Sequence, residues 1–126
     1  MGVTATAVGI SAPTSAQIAH DHWAVCASSD DLSPCETIKA AVTGKALYVE
    51  YLVIMCSSAI TVTIGAGDGG DAVTTILIGP VPFSGHSTAK TFDMRAHPIQ
   101  LASATALAVD ASGAGSVCIF VKGFTK

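Results

Sequence analysis

Two histidines one residue apart, His20 and His22 in the run AHDHW, are the side chains best spaced to hold a metal ion. On an extended chain, positions i and i+2 project from one face, so both imidazoles could chelate one ion while Asp21 points away. A working centre needs further ligands from neighbouring strands. The other two histidines, His86 and His97, each sit beside a turn signal, SGHS and AHP, with no supporting pattern. Solvent-facing or hydrogen-bonded imidazoles fit this spacing better than ligands do. Neither a metal nor a cofactor is expected.

The glycine-rich run GAGDGGD at positions 65–71 resembles in composition the calcium-binding nonapeptide repeats, where backbone carbonyls and Asp oxygens cradle the ion. Those sites need several tandem copies, and the chain has one imperfect stretch. It also lacks the distal Glu of an EF-hand loop and the Lys-Ser/Thr of a phosphate loop. A turn between two strands accounts for the glycines. No G-x-S-x-G elbow supplies a nucleophile, and Asp30 and Asp31 are adjacent in a polar stretch where both would be solvated. The residues therefore point to a protein that is not an enzyme.

The four cysteines, Cys26, Cys35, Cys56 and Cys118, do not make a zinc pattern, since the closest pair has eight residues between its members. Cys56 and Cys118 fall in strand-like runs, where a thiol behaves as a small hydrophobe. Cys26 and Cys35 flank the loop ASSDDLSP, and a disulfide across it is sterically reasonable; reduced thiols are the alternative for a chain made in a cytoplasm. Trp23, the single tryptophan, is either a core residue or an anchor that docks into a neighbour.

Composition limits the partners. Half of the 126 residues are apolar and only 12% are charged, about half the usual share for a soluble domain. So little surface charge suits a protein that covers much of its exterior with partners. The net charge is −3 and the six basic residues are scattered, which argues against nucleic acid. The most apolar segment, Ala46 to Cys56, is interrupted by Glu50 and falls short of the about 20 residues of a membrane span. No membrane partner and no signal peptide are expected.

These residues must be carried by strands. Residues 1–43 read as an extended N-terminal arm with scattered apolar residues at Val3, Val8, Ile10, Ile18, Trp23 and Val25, of which Val8, Ile10, Ile18 and Trp23 are the candidates for partner binding. Within the arm, SPCETIKAA carries a helix-start pattern: Ser33 as cap, Pro34 at the first position and Glu36 three residues on. Residues 44–126 read as a domain of strands over Lys45–Cys56, Ala59–Ile64, Ala72–Ile78, Thr88–Met94, Ile99–Leu101, Ala104–Val109 and Ser116–Phe124, with GPVP ending the third. Alternation in the first puts Tyr48, Glu50 and Leu52 on one side and Leu47, Val49, Tyr51 and Val53 on the other. The expected fold is an all-β antiparallel sandwich or jelly roll of seven to eight strands.

Three stretches, GKALYVEYLVIMCSSAITVTIGAG, ILIGPVPFS and LASATALAVDASGAGSVCIFVKGF, follow in order the strand and turn rhythm of tailed-phage decoration (cement) and head-fibre proteins. The chain resembles that family over about two-thirds of its length, although it has MRAHPIQL where the family often carries a Pro–Gly–Trp pattern. The resemblance implies a jelly-roll-like sandwich, commonly a homotrimer, on the outer capsid surface of the virion. There it would clamp the major capsid protein, and the arm would reach onto the shell or a sister copy. A glycan-binding jelly roll of a phage fibre is the alternative. It would need two or more exposed aromatics, and the aromatics here fall mostly at core-like positions.

Overall fold

The computed structural model describes residues 21–33, 35–67 and 73–126, and the backbone of 4–7. Among them run ten strands: β1 (Thr4–Ala7), β2 (Asp21–Asp31), β3 (Glu36–Lys39), β4 (Leu47–Cys56), β5 (Thr61–Ala66), β6 (Thr75–Pro82), β7 (Thr88–Asp93), β8 (Ile99–Gln100), β9 (Leu107–Ala111) and β10 (Ala114–Thr125). All pairings are antiparallel. One sheet, A, has the order β1-β2-β10-β4-β7 with β8 also on β4, and the other, B, has the order β3-β9-β5-β6. The chain passes back and forth between the two, so sequence neighbours β2, β3 and β4 alternate between sheets. The protein is a β-sandwich wound as a jelly roll.

The core lies between the sheets. Trp23, Val25 and Ala27 of β2, Leu52 and Ile54 of β4, and Val117, Ile119 and Val121 of β10 face Val62 and Ile64 of β5 and Leu107 and Val109 of β9. Each strand alternates because side chains on a pleated backbone leave by opposite faces. The C-terminus is tied down by reciprocal backbone bonds between Ala46 and Lys126, each 3.0 Å.

Four sequence expectations change. The sandwich begins well before position 44, because Asp21–Asp31 is the longest strand of sheet A after β10 and Glu36–Lys39 edges sheet B. Glu36 to Lys39 do not turn into a helix; they pair with Val109 to Leu107, and ladder bonds with β9 replace the intrahelical ones. β6 runs through Gly79–Pro82, since it is an edge strand and proline is tolerated where a backbone N–H would face solvent. The alternation in β4 breaks at Glu50. Leu47 and Val49 are buried, then Leu52, Ile54 and Cys56. The cause is a bulge: Lys122 pairs with Tyr51 but Gly123 pairs with Val49, leaving Glu50 as the extra residue. Its carbonyl accepts a bond from the Met94 N–H at 2.8 Å.

A candidate assembly face on sheet A

The bulge decides what the outer face of sheet A carries. Beyond it, Tyr51, Val53 and Met55 turn outward, where strict alternation from Leu47 would have buried them. The ladder sets them in rows across β4, β10 and β2. Tyr48 lies beside Phe124 and His22, Tyr51 beside Lys122 and Ala24, Val53 beside Phe120 and Cys26, and Met55 beside Cys118 and Ser28. Tyr48 and Phe124 stack with ring centroids 4.6 Å apart and planes 8° from parallel. His22 tilts against the same phenyl ring at 5.8 Å. Most of these side chains are half-buried, and Met55 is 41% exposed.

Charge is confined to few places on this face. Lys122 stands within it, and at the β7 edge Arg95 reaches over Tyr51, its Cζ 5.5 Å from the ring centroid. Arg95 is held there by Asp93, whose carboxylate accepts from Nε at 2.9 Å and from Nη2 at 2.6 Å. Those bonds, with the Arg95 backbone N–H, hold the Asp93 carboxyl at about 2. Tyrosine, phenylalanine and methionine with few charges are what the buried centre of a protein interface contains.

Where β2, β4, β7 and β10 meet the loops, a groove of about 600 Å³ opens. Ser28, Asp30, Ser57, Thr88 and Ser116 line it together with the apolar Met55, Val117 and Cys118, and its lining holds no aromatic ring.

The residues singled out in the sequence do not form one site. Trp23 is in the core at 9% exposure, packed beneath β10, so it is not a docking anchor. Val8, Ile10, Ile18 and His20 lie outside the described residues, as does most of the glycine-rich run. His22 belongs to the aromatic face, while His86 and His97 are exposed in turns. Among the described residues no group of three or more His, Cys, Asp or Glu is placed to hold a metal. Cys26 and Cys35 are not joined: Cys26 is exposed on the outer face of β2 and Cys35 is buried. The intervening chain crosses from sheet A toward sheet B and carries them to different sides. The aromatic face escapes a reading of β4 by itself, because its phase is set by the register with β10.

The site defines a jelly-roll sandwich with an apolar, low-charge outer sheet face. Comparison of the chain with protein-family models, curated proteins and solved structures returns no match. The resemblance to phage decoration proteins therefore rests on the residue pattern alone.

Proposed function

We propose that this protein acts by assembly rather than catalysis, as a decoration protein on the outer surface of a phage capsid. The observation that carries the reading is the outer face of sheet A, with Tyr48, Tyr51, Val53, Phe120 and Phe124 in adjoining rows and Lys122 and the Asp93–Arg95 pair as charges beside Tyr51. A face of this composition is costly to leave in water and gains from being covered. Its partner in the proposal is a second copy of the chain, in a head-to-tail contact that closes at three. The second patch such a contact needs is available on edge strand β6, where Ile76 is 57% exposed. The trimer then holds neighbouring subunits of the major capsid protein, each weak contact multiplied by three-fold attachment.

The test is the mass of the purified protein by light scattering, alone and mixed with undecorated shells. A trimer that sediments with the shells supports the proposal. A monomer that ignores them sinks it. A chain lacking residues 1–20 keeps all of β2 and asks whether the arm is needed for attachment. The competing reading, a glycan-binding module, draws on the groove with its serines, Thr88 and Asp30, but the lining lacks the aromatic platform on which sugars stack. Saturable binding of an oligosaccharide by the monomer would favour it.

A further inference from the structure

Cys26 and Cys118 are diagonal neighbours across the β2–β10 ladder, for Cys118 pairs with Ser28 and Cys26 with Phe120. Both thiols leave the outer face of sheet A. Cys26 is exposed and Cys118 half-buried. On the other side of Cys118, its partner on β4 is Met55, the most exposed residue of that strand. Three sulfurs from three adjacent strands thus share one corner of one face. None of them is needed by the core.

A disulfide is a poor use of this pair. Diagonal positions on an antiparallel ladder stand roughly 7–8 Å apart at Cα, and Cα atoms more than about 7 Å apart are not bridged without backbone movement. An ion seated between the sulfurs lengthens the bridge and removes that obstacle. Zinc would want four ligands of nitrogen, oxygen or sulfur, and among the described residues no His, Asp or Glu joins the two cysteines. Two thiolates and a thioether are soft donors, the set that selects Cu(I) over harder ions.

We propose that Cys26 and Cys118, with Met55 as a third ligand, form a surface site for a soft monovalent ion, Cu(I) or its analogue Ag(I). Binding replaces two S–H bonds by two sulfur–metal bonds and releases two protons, with no change in oxidation state when the ion is supplied monovalent. Burial, with the Cys26 thiol beside it, pushes the Cys118 thiol up. The site does not depend on the assembly reading, and the free protein is the material for its test.

The reduced chain is titrated with Ag(I), and anaerobically with Cu(I) against a chromogenic Cu(I) chelator, with native mass spectrometry to count ions and circular dichroism to follow the fold. The expected result is a single ion per chain. Affinity should fall about a hundredfold or more in C26S and in C118S, and about tenfold in M55L. Wild-type competition lost outright to the chelator overturns the site, as does full retention of the ion by both serine variants. An unchanged M55L removes the thioether from it. Should a serine variant fail to fold, alkylation mapping of the wild type decides: Ag(I) must protect Cys26 and Cys118 together. Equal labelling with and without the ion overturns the proposal.

Discussion

Gly123 lies directly opposite Trp23 across the β2–β10 ladder, and the indole fills the space that a side chain at 123 would need. A Cβ there would stand 2.9 Å from Trp23 Cζ2 and would also run into the Tyr48 carbonyl oxygen. The β4–β10 register shifts at this point, next to the bulge at Glu50. Gly123→Ala must therefore displace backbone, at a cost of about 3 kcal/mol. Gly113→Ala is the matched control, its nearest neighbour being Ile60 Cγ2 at 3.8 Å, and it should stay within about 0.5 kcal/mol of wild type. Urea unfolding of the two variants makes the comparison.

Trp23 itself separates a core role from an anchoring one. Trp23→Ala should cost about 3–5 kcal/mol, the usual range for emptying a large aromatic site. Trp23→Phe should cost only about 1 kcal/mol, since the lost volume is offset by removing an indole N–H. Among the described residues that N–H has no hydrogen-bond partner and is buried, and Lys39 Nζ lies 5.6 Å from the ring centroid. Thermal unfolding followed by circular dichroism and by calorimetry measures both. Unchanged stability in Trp23→Ala would contradict the core assignment.

A charge placed on the aromatic face should act on assembly more than on folding. Phe120→Lys inserts an ammonium between Val53 and Cys26, its partners in the row. The expected loss of stability is about 1 kcal/mol, because the side chain lies outside the core. The oligomer should dissociate to monomer in light scattering. Ile76→Lys on the β6 edge should do the same if that edge is the second patch.

The Asp93–Arg95 pair predicts a local pH response. Hydrogen bonds from Arg95 hold the Asp93 carboxyl at about 2 against an ordinary value of 3.8. A carboxyl lowered in the folded state contributes its stability in full above the ordinary value and loses it as pH falls toward 2. The pair is exposed, so the global effect is small. The informative measurement is the Asp93 carboxyl shift in an NMR titration. In wild type it should move near pH 2. In Arg95→Gln it should move close to the ordinary value, and the Tyr51 ring signals should shift as the guanidinium leaves.

Much of the strand pattern is legible in the chain. Val62 and Ile64 face inward as their alternation with threonine requires, and β7 and β10 fall within a few residues of their expected limits. β2 is hard to see because its inward positions after Val25 are Ala27 and Ser29, too small and too polar to announce a buried face. Ser29 is nonetheless buried, its hydroxyl donating to the Asp31 carbonyl at 3.1 Å. β3 carries a helix-start signature that local propensity favours and that pairing with β9 overrides.

By itself the sequence determines the all-β class, most of the strand positions and the scarcity of charge, because these follow from composition and from a period of two along a local stretch. The tertiary structure alone decides which residues meet. The outward turn of Tyr51, Val53 and Met55 depends on one unpaired residue in β4, and that residue is defined only against Lys122 and Gly123 some seventy positions away. The sulfur corner of Cys26, Cys118 and Met55 likewise exists only once β2, β10 and β4 are laid side by side. Register is a property of two strands. A slip of one residue exchanges core for surface, and nothing within either strand reveals where its partner will start.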